Sequence, residues 1–287
     1  IWDKPIRFST GIMYSNREWD DYDEMRAGMY FLLGRKVFGS KHWDLSGKYK
    51  IERVTLDNFD DGCAPEITSE EGDNWISRMV FKLAYDTRDD IFDPTSGWYA
   101  HVSQEVAGGP LAGDKDFWRT LGEINYFRTV YKDKLERPYV FSFRIEGAMA
   151  GAYGDSDEVP VYERYYAGGI GSLRGFDYHS VAPRSIIGGD EIGGETLKSG
   201  SVEFFFPIWG EAIRGSVYFD MAKVERYMSG ETWWNDEDED WRMSVGTGLH
   251  LKTPLGPIPI RIYFNNPLNE KDGDDTPTVQ FTFGAFF

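Results

Sequence analysis

Apolar and polar residues alternate along most of this chain, in stretches broken by Gly, Pro, Asn and Asp. A period of two over such lengths is the pattern of half-buried β-strands, and the Leu-rich helical periodicity that would compete with it is absent. Twelve stretches predict twelve strands, at 6–17, 24–36, 43–54, 75–86, 98–107, 117–131, 139–150, 194–208, 214–224, 241–253, 258–266 and 278–287. In the seventh, Tyr139, Phe141, Phe143, Ile145 and Met149 share one face and Ser142, Arg144 and Glu146 the other. In the eleventh, Ile258, Ile260, Ile262 and Phe264 oppose Arg261, Tyr263 and Asn265. A β-sandwich alternates in the same way, so alternation alone leaves the architecture open.

The connections separate the two architectures. Short turns at 39–42, 93–97, 209–213 and 254–257 take turns with longer polar segments such as 58–73, 151–193 and 225–240. Short turns on one rim and long loops on the other are the layout of an antiparallel transmembrane β-barrel. The expected fold is therefore all-β, a single barrel domain over 1–287 with no linker, repeat or low-complexity tract. An even strand number keeps both ends on one side of the membrane.

Composition fits this reading. A mean hydropathy of −0.49 argues against a helical membrane protein, and no run reaches the ~18 apolar residues a helix needs to cross. It does not exclude a barrel, whose strands carry polar lumenal residues. The aromatic share of 16% suits interfacial girdles. A net charge of −17 argues against a nucleic-acid partner, which requires a positive footprint. The acidic run 235–240 reads as a solubilising loop, or as a place where divalent cations bridge to anionic lipid headgroups. Cys63 is the only cysteine, so no intramolecular disulfide is expected, and no signal peptide opens the chain, as in a mature or excised form.

Candidate chemistry is sparse. There is no Gly-x-Ser-x-Gly, no complete Gly-x-Gly-x-x-Gly, no paired cysteines and no EF-hand spacing; His42, His101, His179 and His250 lie far apart. No catalytic residue, metal or cofactor is expected. The chemistry that does stand out is positional. Alternation turns Val202, Phe204, Phe206 and Ile208 to lipid and Glu203 to the lumen; in the next strand it turns Val217, Phe219 and Met221 to lipid and Asp220 inward. An arginine from the long 151–193 segment, folded into the lumen, would find two carboxylates suited to its planar fork of donors. At the C-terminus, Val279, Phe281, Phe283, Ala285 and Phe287 share a face opposite Gln280, Thr282 and Gly284, with Phe286 beside the end. That is a bare apolar strand of a kind soluble proteins normally guard.

Within the long segment, Tyr165-Tyr166-Ala167-Gly168-Gly169-Ile170-Gly171-Ser172-Leu173-Arg174-Gly175-Phe176 resembles the signature loop of the BamA superfamily. Its core there is Arg-Gly-Phe or Arg-Gly-Tyr after an apolar residue. Other motifs agree in order: Tyr85-Asp86-Thr87-Arg88-Asp89 with Asp93-Pro94-Thr95-Ser96-Gly97, then Ser201-Val202-Glu203-Phe204, Phe219-Asp220-Met221 and Pro254-Leu255-Gly256-Pro257. The similarity spans essentially the whole chain.

The resemblance implies that Arg174 locks onto Glu203 and Asp220, with Gly175 allowing close backbone approach and Phe176 packing inside. It implies that Asp86, Arg88, Asp89, Pro94 and Gly97 form a strand exit and turn. It also implies that Val279, Phe281, Phe283, Gly284 and Phe287 serve as an assembly signal and one side of a lateral seam. Barrels of this superfamily have sixteen strands behind periplasmic polypeptide-transport-associated domains. Trp2-Asp3-Lys4-Pro5 resembles the turn into the fifth strand, so this chain is expected to be the C-terminal part of such a barrel rather than a reduced one. The implied function is folding and insertion of β-barrel clients into the bacterial outer membrane, with unfolded outer-membrane proteins and membrane lipids as partners and accessory lipoproteins as further candidates. A two-partner-secretion or autotransporter-assembly transporter of the same superfamily is the nearest alternative. An outer-membrane lipase and a passive porin stand further off.

Overall fold

A computed structural model describes residues 6–210, 212–226, 239–252 and 259–283. Its twelve strands are β1 (Ile6–Glu18), β2 (Asp23–Lys36), β3 (Trp43–Asp57), β4 (Gly72–Asp86), β5 (Ser96–Ala107) and β6 (Phe117–Lys132), followed by β7 (Pro138–Ala152), β8 (Thr196–Trp209), β9 (Ile213–Glu225), β10 (Arg242–Leu251), β11 (Ile260–Pro267) and β12 (Val279–Phe283). Each pairs antiparallel with its neighbours in sequence, giving one twelve-stranded meander in which β1 and β12 are the edges. A four-residue helix, α1 (Pro65–Thr68), sits in the β3–β4 loop, and no helix among the described residues is long and apolar enough to cross a membrane.

The twelve expected strands are therefore the twelve observed, with ends moved by up to three residues where both are described. Strands grow mainly into the long-loop rim: β3 continues to Asp57, β4 begins at Gly72 and β7 runs on to Ala152, so the long connection is 153–195. Extra ladder bonds there satisfy backbone groups that the packed loop would otherwise bury unpaired. The expected ends at Thr253, Ile258 and 284–287, the turn 254–257, the segment 2–5 and most of the acidic run lie outside the described residues.

One face of the sheet is apolar and bare. Ile12 is 88% exposed, Phe281 68% and Phe283 70%, and Ile145, Met149, Val217 and Phe264 point the same way. Residues that alternate with this face along the strands point inward and are buried, among them Asn125, Glu203, Asp220 and Tyr263. Bare apolar residues outside and buried ions inside invert a soluble protein and suit a lipid solvent. Aromatic pairs mark the short-turn rim, with ring centroids 4.9 Å apart for Trp43 and Tyr85, 4.3 Å for Trp98 and Tyr126, and 5.3 Å for Tyr131 and Tyr139. Pro207, which has no N–H for the ladder, falls at a register shift between Pro207 and Trp209 on that rim, a bulge being where a strand tolerates proline.

The hollow side of the sheet is filled near the long-loop rim by the 153–195 connection. Val159, Val161, Ala167, Leu173, Phe176, Val181 and Ile192 from it are at most 1% exposed. They pack in one cluster with inward residues of the strands, including Val54, Leu56, Ile76, Phe117, Ala222 and Val224. The loop is thus the core of the molecule.

Candidate functional site

The loop carries Arg174 to the inward faces of β8 and β9. Its Nε and Nη2 donate to the two carboxylate oxygens of Asp220, each at 2.7 Å, and Nη1 donates to Glu203 at 2.7 Å. The Arg174 backbone N–H also donates to Asp220, at 3.2 Å. Ser201 completes the socket, its hydroxyl donating to Asp220 at 2.6 Å and accepting from Arg174 Nη2 at 3.1 Å. The guanidinium lies 3.6 Å from the Tyr218 ring centre and 4.8 Å from that of Tyr263. Arg174 is 4% exposed, so its charge is held by paired carboxylates and aromatic faces rather than by water.

Register explains why the two acids stand together. Ser201 on β8 faces Asp220 on β9, and Glu203 faces Tyr218 one step along the same inward face. Beyond them, Glu203 lies 3.5 Å from His250 Nε2, which in turn contacts the Ser216 hydroxyl at 3.0 Å.

Gly175 and Phe176 continue the grip. Gly175 has φ +85, and a Cβ there would stand 3.1 Å from Asn265 Cβ and 3.3 Å from Ser244 Cβ, so the loop backbone lies almost on β10 and β11. The Ser244 hydroxyl donates to the Arg174 carbonyl. Phe176 is fully buried. The side chain of Gln280, inward on β12, accepts from the Gly175 N–H and donates to the Phe176 carbonyl, both at 2.9 Å. The clasp therefore reaches from β8 to the last strand. Val279, Phe281 and Phe283 of that strand face outward; Gly284 and Phe287 lie outside the described residues.

The β4–β5 turn is a second organised element. Asp89 accepts from the N–H groups of Asp90, Thr95 and Ser96 at 2.9–3.1 Å and from the Thr95 hydroxyl at 2.5 Å. Burial tends to raise its pKa, and these hydrogen bonds more than offset that and hold it low. Arg88 forks onto Asp86 at 3.0 and 2.9 Å and covers the Tyr99 ring. Gly97 has φ +108 with the Thr87 carbonyl where a Cβ would be. Pro94 is buried. The turn also crosses to the far strands: Asp93 pairs with Arg214 and, at 2.7 Å, with Lys252, while the Phe92 carbonyl accepts from Arg261. These residues, together with the Arg174 socket, line a small cavity of about 120 Å³.

Motif reasoning did not reach a third cluster. Glu163, 1% exposed in a short 3-10 turn of the loop, accepts from Arg26 at 3.0 Å, from Arg78 at 2.7 and 2.8 Å and from Arg119 at 2.9 Å. The three arginines come from β2, β4 and β6, and inward alternation in those strands was the only available signal. At the long-loop end, Trp19, Tyr22, Tyr166, Tyr178 and His179 border a cavity of about 540 Å³. His179 stacks on Tyr178 and Tyr166, with ring centroids at 4.1 and 4.6 Å. Burial, with Arg17 and Arg26 nearby, pushes the imidazole down to about 4. In the β1–β2 turn, partial burial and then Asp190, Glu191, Asp20 and Asp60 push Asp21 up to about 6. Among the described residues no group of three or more His, Cys, Asp or Glu side chains is arranged to hold a metal ion.

Comparisons with known proteins agree with this geometry. The chain is 30% identical over 292 residues to the outer membrane protein assembly factor BamA of Nitratidesulfovibrio vulgaris, covering 99% of this chain and 35% of that one. It is 25% identical to the BamA of Neisseria meningitidis, over 74% of this chain and 29% of the relative. It is 28% identical to the human sorting and assembly machinery component 50 homolog, over 85% and 53%. It thus spans about a third of the BamA relatives it matches. The crystal structure of Haemophilus ducreyi BamA lacking POTRA domains 1–3 superposes with a TM-score of 0.79 at 20% identity, covering 96% of this chain and 58% of that one, a likeness of fold. The Omp85 superfamily domain matches residues 2–287, and the chain belongs to the Omp85 superfamily.

Proposed function

We propose that this chain is the membrane barrel of an outer-membrane protein assembly factor, which folds and inserts β-barrel clients into the bacterial outer membrane without covalent chemistry. The observation that carries the proposal is the loop clasp and its reach. Arg174 is fastened to β8 and β9, and Gln280 ties the same loop to β12, whose only strand partner among the described residues is β11. An edge strand with free backbone groups is a template onto which a client's strand adds by β-augmentation. A loop that fills the hollow keeps the wall in shape while such an edge opens.

The clients are unfolded outer-membrane proteins, and the setting is the lipid of the outer membrane, where accessory lipoproteins would assist. The four further strands and the periplasmic domains expected from the resemblance belong to this proposal too: four strands added at the free edge of β1 would bring the sheet to sixteen. The amount of loop packed into the hollow favours an insertase over a steady conduit.

The test uses the full-length protein in phospholipid vesicles and a urea-unfolded client barrel, with folding read from the client's mobility on unboiled gels. Folding faster than in empty vesicles, and slowed again when Phe281 and Phe283 are both changed to Asp, supports the proposal. Client folding no faster than in empty vesicles sinks it.

A further inference from the structure

The Arg174 clasp holds only one limb of the loop. The other limb runs through Val161, Tyr162 and Glu163, and its attachment is a cluster of charges on the opposite side of the hollow. Glu52, buried, accepts from Arg78 at 2.6 Å and pairs with Lys50 at 2.7 Å. Glu105 accepts from Arg78 at 2.7 Å, and Glu24 from Arg26 at 2.7 Å. Arg26 also donates to the Tyr162 carbonyl at 2.8 Å. Glu24, Glu52, Glu105 and Glu163 thus meet Arg26, Lys50, Arg78 and Arg119, four charges of each sign. Three of the acids belong to the strands and Glu163 alone belongs to the loop. Without it the wall would keep four cations against three anions, with three buried or half-buried guanidiniums each losing a charged acceptor.

We infer that Glu163 is a second anchor of the loop, a positioning residue that holds the limb before the glycine-rich turn against β2, β4 and β6 whether or not Arg174 is engaged on β8 and β9. It gives the loop two sockets of opposite polarity on different walls, so one limb stays seated when the other lets go. This rests on the reading of the chain as a membrane barrel with its loop inside, and the test needs no client, so failure of the anchor and failure of the insertase reading are distinct results.

The test is trypsin mapping of the folded full-length protein, with cut sites assigned by mass spectrometry. Arg164 follows Glu163 and is 6% exposed, which protects the bond after it. When opening is fast, cleavage follows the population of the open limb. Hydrogen bonds to charged groups contribute enough that losing the Glu163 set raises that population by about tenfold or more. Glu163→Gln is therefore expected to speed cleavage after Arg164 by about tenfold or more, leaving Arg174 protected and the barrel's unboiled-gel mobility unchanged. Glu163→Asp, which keeps the charge, restores most of the protection. Arg174→Ala leaves Arg164 protected. If Glu163→Gln does not fold, Arg119→Gln removes one donor from the more open side of the cluster and gives a smaller increase. The inference is overturned if Arg164 stays equally protected in Glu163→Gln, or in Arg119→Gln where that variant stands in. It is also overturned if the Asp and Gln variants are cut alike, or if Arg174→Ala exposes Arg164 as strongly as Glu163→Gln does.

Discussion

At the Arg174 clasp a single loop cation meets two wall carboxylates between two tyrosine rings, whereas at the Glu163 cluster a single loop carboxylate meets three wall guanidiniums. The clasp draws its acids from the adjacent strands β8 and β9 and has one more negative charge in the wall than the loop brings. The Glu163 cluster draws on five strands, β2 to β6, and its charges balance. One socket grips a point on the wall, and the other gathers a curved stretch of it. Losing the loop charge is costly at both, because buried wall charges are left without their counter-ion. The consequences differ: at the clasp the contacts that follow lead through Gln280 to β12, while Glu163's own hydrogen bonds go to β2, β4 and β6.

The largest effect expected from breaking this contrast comes from Arg174→Ala. It leaves Asp220 and Glu203 buried without their cation, a loss of about 3–5 kcal/mol for a desolvated pair. The temperature at which the barrel loses its folded mobility on unboiled gels should fall by roughly 10 °C. Client folding should fall with it. If both stay at the parent's values, Arg174 holds nothing. Arg174→Lys keeps the charge but not the fork that meets both Asp220 oxygens, so recovery should be partial.

A finer comparison separates the two acids. Asp220 takes two side-chain bonds from Arg174, the Arg174 N–H and the Ser201 hydroxyl; Glu203 takes a single Arg174 bond and has His250 at 3.5 Å. Asp220→Asn should therefore lower the same transition by several degrees, and Glu203→Gln by about half as much, since each charged hydrogen bond contributes about 1.5–3 kcal/mol. Equal losses, or the reverse order, would mean that Asp220 is not the stronger partner of the guanidinium.

The same contrast shows what could be read from the sequence. Arg174 sits in a run of consecutive residues, Gly168 to Phe176, and its partners fall in two strands whose alternation is unambiguous, so both ends of the clasp were legible. Strand number and the inward faces of β7, β8, β9, β11 and β12 were legible for the same reason: each is a period-two pattern. Glu163 has no such mark. Its neighbours Val161 and Tyr162 resemble many loops, and its three partners are spread over Arg26, Arg78 and Arg119, whose meeting depends on how the sheet curls. The reach of Asp93 to Arg214 and Lys252 is hidden likewise, because it spans more than a hundred residues between two turns. Local motifs show which residue is special, but contacts made across a hollow are written in curvature.

The smallest expected effect concerns Asp21, where the loop meets the β1–β2 turn. Its folded pKa, near 6, stands above the ordinary 3.8, because burial and the acids Asp190, Glu191, Asp20 and Asp60 disfavour its charge. A raised acid contributes stability fully below its unfolded pKa and loses it as pH rises through the folded one, so at pH 7.5 the charged Asp21 works against docking of the turn. His179, held near 4 by burial and by Arg17 and Arg26, has the opposite sense: its neutral form stabilises, and that stability falls as pH drops below 6.5. The parent's pH profile therefore mixes two opposing trends, and a difference between variants isolates one of them. Asp21→Asn should raise the gel-mobility transition slightly at pH 7.5, by less than about 2 °C because the group is only partly buried and is screened by solvent. The gain should shrink by pH 5, where Asp21 is itself mostly protonated and the His179 trend is common to both proteins. A gain of equal size at both pH values would mean that the substitution acts through packing rather than through the charge that Asp190 and Glu191 repel.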